Sequence, residues 1–383
     1  MAGLYIHVPF CAKRCIYCDF YSNTKMEYKE AYVLALLREM EIRHDYLCDE
    51  KVDTIYFGGG TPSQLQSHDL EKIVDKIYRL FSVSDYPEIT IEANPDDLSD
   101  EYVSALKMLP INRISIGIQS FHDIELHLLN RRHTAQEAQE AVLRCQDAGL
   151  TNISIDLMYG LPDQTAEGWL YNIERAVALD VPHISAYSLT YEEDTVIHNM
   201  MVSGKICPVD DDLYERFFHM LTEKLAAAGF VHYEISNFAK CSTSYPDGRI
   251  SLHNSSYWNG THYLGLGPAA HSYNGDSRTW NVASISGYLE AIMDNNPDYS
   301  PETEVLDERT KYNDFIITRL RTMWGVSLEE LRREFGEART CYFLEKSASF
   351  LRLGMLKKQD DFVKIKTNGL FVSDAIMREL IAL

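Results

Sequence analysis

Three cysteines lie close together near the start of the chain. Cys11, Cys15 and Cys18 form a C-x3-C-x2-C pattern directly after a short apolar segment. A [4Fe–4S] cluster normally takes four thiolate ligands, so three neighbouring cysteines would leave one iron open to an outside ligand. The pattern therefore predicts an iron–sulfur cluster with one free coordination site. A structural zinc site and a chance grouping are the alternatives, although structural zinc usually takes four paired Cys or His ligands and no second pair follows.

An iron with a free site suits S-adenosylmethionine (SAM), whose amino and carboxylate groups can chelate it. An electron from the cluster would then cleave a carbon–sulfur bond of SAM and release a 5′-deoxyadenosyl radical. Tyr17 directly precedes the third cysteine, and we expect its ring to flank the adenine. The cysteine loop thus predicts radical chemistry with SAM as a second cofactor.

Further polar residues follow the ends of predicted strands. The run Gly58-Gly59-Gly60-Thr61 follows the second strand, and its glycines permit close backbone approach to the methionine end of SAM. Glu92, Gln119 and Asp156 end the third, fourth and fifth strands, and Arg131 follows soon after. We expect the two carboxylates to accept bonds from amino or ribose groups of SAM, and Arg131 to pair with a carboxylate. A tight turn, capping and surface roles are the alternatives for these positions.

Short β-rich runs alternate with amphipathic stretches through the first half of the chain. This alternation predicts a parallel sheet with right-handed crossovers, and six units suit a partial (β/α)6 barrel with its site at the strand C-termini. The predicted strands are 4–8, 54–57, 88–93, 113–118, 153–159 and 183–189. The predicted helices between them are 27–47, 69–81, 99–109, 135–149 and 166–179.

Three regions follow from the change of composition along the chain. Residues 1–236 form the predicted barrel core, which ends with a helix at 211–229 and a strand at 231–235. Residues 237–302 are rich in Ser, Asn, Gly and Tyr and predict a loop-rich connector. In 303–383 we predict helices at 308–323, 327–335 and 341–353, a hairpin formed by 356–367 and 370–372, and a last helix at 374–383. This order predicts a winged-helix-like α+β domain.

The chain is strongly acidic. It has 383 residues, with 36 Lys and Arg against 57 Asp and Glu, for a formal net charge of −21. Such a charge disfavours nucleic-acid binding and attachment to anionic lipid through a polybasic patch. Five of the eight cysteines are scattered, and no signal peptide or transmembrane segment is expected. We therefore expect a protein of the reducing cytoplasm.

The sequence resembles the coproporphyrinogen III oxidase-like family of radical SAM proteins over nearly its whole length. The resemblance lies in the segment 5–11, the remaining cluster cysteines, the glycine run, and the segments 117–120 and 156–162. It implies a radical SAM barrel that holds a [4Fe–4S] cluster and SAM. By motif match, the implied SAM contacts are Tyr5, Tyr17, Gly59, Gly60, Thr61, Glu92, Gln119, Arg131 and Asp156.

Two activities occur in this family. The oxygen-independent oxidases have a fourth cysteine two residues after the third, where this chain has Phe20, and an N-terminal extension, where only residues 1–4 precede Tyr5. The heme chaperones lack both features and carry a His-Asn-x-x-Tyr-Trp signature. Here that signature reads His-Asn-Ser-Ser-Tyr-Trp at 253–258. The resemblance therefore implies heme binding and delivery, with propionate decarboxylation as the alternative.

The signature supplies a candidate heme ligand. Imidazole is a normal axial ligand of heme iron, and Tyr257 and Trp258 beside His253 offer flat apolar faces. A hydrogen-bonded structural role is the alternative for His253, and His262 and His271 are alternative ligands.

The expected cofactors are therefore the cluster, SAM and heme. The expected partners are an electron donor and heme-recipient proteins. Membrane-bound respiratory enzymes are candidate recipients, and the protein would then reach the inner membrane face through contact with such a partner. An iron–sulfur-sensing DNA regulator is a distant alternative, because from Pro301 onward 14 Lys and Arg balance 14 Asp and Glu and no basic surface is indicated.

Overall fold

The computed structural model describes residues 1–241, 249–293 and 301–382. Within these ranges twelve strands form one mixed sheet and three form a second, smaller sheet. In chain order the strands are β1 (Ala2–Val8), β2 (Val52–Gly59), β3 (Val83–Ala93), β4 (Arg113–Gln119), β5 (Ile153–Tyr159), β6 (His183–Ser188), β7 (Phe230–Glu234), β8 (Asn237–Lys240), β9 (His262–Leu266), β10 (His271–Tyr273), β11 (Ser277–Trp280), β12 (Glu302–Val305), β13 (Val326–Ser327), β14 (Leu356–Gln359) and β15 (Phe362–Ile365).

The helices connect these strands. In chain order they are α1 (Lys29–Ile42), α2 (Ser67–Leu80), α3 (Asp100–Leu106), α4 (Asp123–Leu128), α5 (Ala135–Asp147), α6 (Ala166–Ala178), α7 (Val196–Val202), α8 (Asp211–Ala227), α9 (Leu252–Trp258), α10 (Ile285–Met293), α11 (Glu308–Leu320), α12 (Leu328–Arg352), α13 (Thr367–Leu370) and α14 (Ser373–Leu380). Among the described residues no helix is both long and apolar enough to cross a bilayer.

The first six strands lie side by side in chain order, and each neighbouring pair is parallel. This confirms the predicted partial (β/α)6 barrel. The sequence of β4, Arg-Ile-Ser-Ile-Gly-Ile-Gln, shows why it forms. Its three isoleucines are buried on one face in the main hydrophobic core, while the alternate polar positions fall on the other face. The outer face of the barrel therefore packs against the helices, and its inner face carries polar side chains.

Both edges of the barrel are extended. On one side β9 pairs in parallel with β1, and β10, β11 and β12 continue the sheet in antiparallel order. On the other side β8 and β7 follow β6 in antiparallel order. The region 237–302, which we predicted to be loop-rich, thus contains more regular structure than expected. Its strands were missed because each spans only three to five residues. Its segments 242–248 and 294–300 lie outside the described residues.

The C-terminal region has its own hydrophobic core, which includes Tyr312, Leu331, Phe343 and Val363. Helices α11 and α12 precede the hairpin β14–β15, as predicted for a winged-helix-like domain, and β13 pairs with β15. The two predicted helices within α12 meet at Gly336, where the helical dihedral angles are interrupted at a φ of 78°.

The predicted hairpin boundaries were wrong. The chain reverses at Asp360, which has a φ of 52°, so both strands lie within 356–365. Asp361 stabilises this turn by accepting bonds from Ser327 Oγ and the amide of Glu329 at the start of α12. Residues 367–370, which we assigned to the end of one strand, the turn and the start of the next strand, are helical. The last helix, predicted at 374–383, ends at Leu380.

Candidate cluster and SAM site

The predicted site residues converge at the carboxyl ends of the barrel strands, where they line a cavity of about 520 Å³. Parallel strands end at one edge of a sheet, so side chains far apart in sequence meet there. All but one of the predicted SAM contacts line this cavity. The predicted residues in its wall are Cys11, Cys15, Tyr17, Cys18, Gly59, Gly60, Thr61, Glu92, Gln119, Arg131 and Asp156.

The remaining predicted contact, Tyr5, lies deeper in the barrel interior. Its ring is 6.2 Å from the ring of Tyr56, and its hydroxyl is 3.1 Å from Nδ1 of His7. It therefore supports the floor of the site in this structure.

The cysteine loop presents its three thiols to the cavity. The amide of Cys11 donates to the carbonyl of Asn23 at 2.9 Å, which fixes the start of the loop. Burial raises the pKa of the Cys11 thiol and raises that of Cys18 to about 11. A bound metal would offset this effect, because coordination to iron deprotonates thiols outright. This donor chemistry fits a metal cluster.

Two side chains donate hydrogen bonds to the cysteine sulfurs. Thr61 Oγ1 donates to Cys11 Sγ at 3.4 Å, and Arg131 Nη1 donates to Cys15 Sγ at 3.3 Å. Donors of this kind tune the potential of a cluster.

No three His, Cys, Asp or Glu side chains of the described residues are grouped closely enough to hold a single metal ion. Three thiols that each bind a different iron of a cubane are spread more widely than the ligands of one ion.

Arg131 links the cluster loop to the strand ends. Its Nη2 donates to Asn94 Oδ1 at 2.6 Å and to the carbonyl of Gly117. Its Nε is buried and has no hydrogen-bond partner among the described residues. A buried donor without a partner is costly, and a ligand carboxylate is the group that guanidinium donors bind best. The carboxylate of SAM would satisfy this donor.

Two carboxylates with raised pKa values face the same space. Glu92 accepts from the Tyr56 hydroxyl at 2.7 Å and from the amide of Gly59 at 3.2 Å, while Asp156 accepts from Ser115 Oγ at 3.3 Å. Burial raises the pKa of Glu92 to about 7 and that of Asp156 to about 6. Buried carboxylates that are reluctant to ionise favour a positively charged ligand beside them, as SAM provides.

The glycine run is required by space. A Cβ atom at Gly59, whose φ is +103°, would lie 2.6 Å from the ring of His7, and one at Gly60 would lie 2.8 Å from the carbonyl of Val8. Gln119 also adopts a positive φ of 73° at the end of β4. Such backbone strain in a non-glycine residue clusters at binding sites. Asn94, which follows the end of β3 in the cavity wall, was not assigned a role of its own. Tyr56 beneath the cavity was missed, because a single polar residue inside a strand carries no local signal.

The signature helix α9 closes the opposite end of the barrel. Glu88 accepts bonds from the amides of Leu252 and His253 and from Ser251 Oγ, and so anchors the first turn of the helix. This contact places the side chain of His253 inside the barrel, where the residue is 1% exposed.

Both nitrogens of the His253 ring are occupied. Nδ1 is 2.8 Å from Thr54 Oγ1, Nε2 is 2.9 Å from the Tyr257 hydroxyl, and the ring stacks on Tyr56 at 4.9 Å. Burial, with a smaller effect of Arg113, lowers the pKa of His253 to about 3, so the ring is neutral. In this arrangement neither nitrogen is open to iron. This geometry agrees with the structural alternative for His253, and its role as a heme ligand stays a prediction.

The two alternative histidines lie on the extended edge of the sheet. The His262 side chain is 36% exposed, and its Nδ1 is 2.5 Å from Glu50 Oε1. His271 is exposed and stacks on Trp280, with 5.8 Å between the ring centres. Both rings are therefore more accessible than that of His253.

Comparisons with known proteins agree with this geometry. The model of the radical SAM superfamily matches residues 5–176, and the model of the HemN C-terminal domain matches residues 306–372. The superfamily match implies a [4Fe–4S] cluster and SAM, which fit the cavity described above. The solved structure of Escherichia coli coproporphyrinogen III oxidase, HemN, shares the fold, with a TM-score of 0.84 at 21% identity over 100% of this chain and 90% of that one.

Curated relatives named heme chaperone HemW are more similar in sequence. The Bacillus subtilis protein is 33% identical over 98% of both chains. The Escherichia coli protein is 37% identical over 70% of this chain and 69% of its own length. This similarity, together with the cysteine loop and the barrel that presents it, shows that the chain belongs to the HemW family of radical SAM proteins.

Proposed function

We propose that this protein is a heme chaperone, which binds heme and delivers it to recipient proteins from a radical SAM scaffold. The observation that carries the proposal is the full-length similarity to proteins named heme chaperone HemW, since the likeness to the oxidase HemN at 21% identity concerns the fold alone. The residue at the oxidase cysteine position supports it as well. Phe20 is 67% exposed beside the cysteine loop, so no fourth thiol is present at this position.

The chain's own residues would hold the cofactors as follows. Cys11, Cys15 and Cys18 would bind three irons of the cluster, and the free iron would take the amino and carboxylate groups of SAM. Arg131 would orient that carboxylate through its unpaired Nε, and Glu92 would accept from the SAM amino group. The bound cluster would supply one-electron reduction.

The proposed partners are an electron donor and heme-recipient proteins, including membrane-bound respiratory enzymes. Because no described helix could span a bilayer, we propose that delivery at a membrane face occurs through contact with the recipient itself. The net charge of −21 disfavours direct attachment to anionic lipid.

A heme-transfer assay tests this function. The protein is reconstituted anaerobically with iron, sulfide and SAM, loaded with heme, and mixed with the heme-free form of a heme b enzyme. We expect the recipient to gain heme and activity. A variant in which all three cluster cysteines are changed to Ser shows whether transfer depends on the cluster. Failure of the wild-type protein to bind heme or to pass it on would contradict the proposal.

A further inference from the structure

A group of cations lies on and beside the β14–β15 hairpin of the C-terminal region. The segment 352–366 contains five cations and two acids, so its formal charge is 5 − 2 = +3, whereas the whole chain carries −21. The charge balance after Pro301 conceals this group, because most acids of that region lie outside the segment. The five cations, which we call the wing patch, are Arg352, Lys357, Lys358, Lys364 and Lys366. The wing patch is therefore a local reversal of the charge of the protein.

The charges of the wing patch are not neutralised by acidic partners. Within the part of the chain that the structure describes, the ion pairs of this region involve other cations. Asp361 belongs to the same segment, but it accepts bonds from Ser327 Oγ and the amide of Glu329. The ammonium group of Lys364 lies 5.4 Å from the centre of the Phe362 ring. The positive charge is therefore available to a binding partner.

Two of these lysines face each other across the hairpin. Lys357 pairs directly with Lys364 in antiparallel register, and Lys366 falls on the same face two residues farther along. Like charges directly opposite each other destabilise a strand pair. Lysines on an edge strand can prevent unwanted strand addition, which would explain Lys357 on β14 but not Lys364 on β15, a strand with a neighbour on each side. The arrangement costs stability and favours a role in binding.

Two apolar side chains are exposed within the same surface. Leu353 is 65% exposed and Phe362 is 38% exposed. The ammonium group of Lys366 lies 4.0 Å from the position that a Cβ atom would take at Gly354, and so beside the turn that presents Leu353. Protein interfaces combine an apolar contact with a polar and charged rim. The surface therefore suits a protein partner that has acidic groups around an apolar contact.

The hairpin belongs to the part of the protein that packs on the signature helix. Val363 of β15 shares a hydrophobic core with Ile316 of α11. At the end of α11, Arg319 Nη1 donates to the carbonyl of Trp258 at 2.5 Å, and the guanidinium of Arg321 lies 5.0 Å from the Trp258 ring. No residue of the wing patch lines the cluster and SAM cavity. A partner on the wing patch thus contacts the domain next to the signature helix and not the cluster loop, which fits a heme recipient better than an electron donor.

We propose that the wing patch is the docking surface for the heme recipient, and that it fits a recipient with an acidic surface. The proposal rests on the proposed heme-chaperone function and names the kind of partner. Complementary charges mainly raise the rate of association, by a factor of about 10 to 10³. A bilayer fits less well, because the rest of the chain carries −21 − 3 = −24 and an extended anionic surface would repel it. A small acidic protein can contact the patch alone, since charges in solvent are screened beyond about 8 Å.

Heme transfer to two recipients tests the proposal. They are the heme-free soluble domain of cytochrome b5, which is strongly acidic, and apomyoglobin, which is nearly neutral. At low ionic strength we expect the triple variant Lys357→Glu, Lys364→Glu and Lys366→Glu to transfer heme to cytochrome b5 at least about tenfold more slowly than wild type. Transfer to apomyoglobin, heme affinity and iron content should stay at wild-type values. High salt should remove the difference between the two proteins.

A matched control separates the patch from the net charge. The triple variant Lys72→Glu, Arg79→Glu and Lys107→Glu makes the same change in charge at exposed positions of α2 and just after α3. It should transfer heme to cytochrome b5 at the wild-type rate. The single change Lys357→Glu gives a second measurement, because it places opposite charges across the strand pair with Lys364. We expect its thermal midpoint to rise while its transfer to cytochrome b5 slows, a combination that a purely structural role of Lys357 would not produce.

Three results would overturn the docking surface. The first is equal transfer to cytochrome b5 by wild type and the wing-patch triple variant, which would leave the chaperone function standing. The second is wild-type binding to phosphatidylglycerol vesicles that is lost in the triple variant while transfer is unchanged, which would assign the patch to lipid. The third is the same pattern with a DNA duplex, which would assign it to nucleic acid. A wild-type protein that passes heme to neither recipient would overturn the chaperone function as well.

Discussion

Replacing His253 by Ala should destabilise the protein strongly, because the ring is an integral part of the barrel interior. The substitution leaves Thr54 Oγ1 and the Tyr257 hydroxyl without their partners at 2.8 and 2.9 Å. It also opens a void beside Tyr56, on which the imidazole stacks at 4.9 Å. A buried polar group left unpaired costs about 1–3 kcal/mol, and truncation of a large core residue about 2–5 kcal/mol. Since these effects overlap, we expect a loss of about 3–5 kcal/mol.

Thermal unfolding followed by circular dichroism measures this loss. One kcal/mol shifts the midpoint of a domain of 150–250 residues by about 2–4 °C, so we expect a decrease of about 6 °C or more. The control is His262→Ala, whose side chain is 36% exposed. Its contact with Glu50 contributes at most about 1 kcal/mol. His253→Gln, which can keep a bond to one hydroxyl, should fall between the two.

A midpoint for His253→Ala that matches the wild-type value would refute this reasoning. It would mean that the ring is not held by Thr54 and Tyr257 in solution. His253 would then be free to bind iron, as the resemblance implies.

Three further outcomes are expected at the cluster and SAM site. Cys15→Ala should abolish the [4Fe–4S] cluster, seen as lost iron and a lost EPR signal, whereas adding SAM to wild-type protein should change that signal; unchanged iron content would contradict the ligand assignment. SAM affinity of wild-type protein should fall about tenfold per pH unit below 7, because the pKa of Glu92 is about 7 and its protonated carboxyl no longer attracts the ligand. Glu92→Gln should remove this pH dependence, and a pH dependence that persists in the variant would show that another group causes it. Tyr56→Phe should shift the midpoint of that titration to higher pH, since the Tyr56 hydrogen bond lowers the pKa of Glu92; a midpoint that stays or falls would show that the bond at 2.7 Å is absent in solution.

Much of the barrel could be predicted from the sequence because its strands carry a local signal. The alternating isoleucines of 113–119 predict one strand face, and parallel order then brings Glu92, Gln119 and Asp156 to one edge. The position of these side chains therefore follows from local strand patterns and needs no knowledge of long-range contacts. The cysteine loop and the glycine run follow the first two strands by the same rule.

The environment of His253 could not be predicted in this way. Its partner Thr54 lies 199 residues away in sequence, and Glu88, which anchors α9, lies 165 residues away. Neither contact leaves a periodic pattern near the signature. The same holds for the pairing of β9 with β1, which turns the predicted connector into a sheet edge. The hairpin was misplaced because two adjacent aspartates at 360 and 361 form the turn, where no glycine marks it.

We propose that this radical SAM protein carries heme and does not make its precursor. The decisive experiment divides one anaerobically reconstituted preparation, supplied with SAM and reductant, into two portions, of which one receives heme and the other coproporphyrinogen III. We expect heme bound at one per chain in the first portion, and no protoporphyrinogen above the level of SAM-free controls in the second. Turnover of coproporphyrinogen III with no bound heme would contradict it.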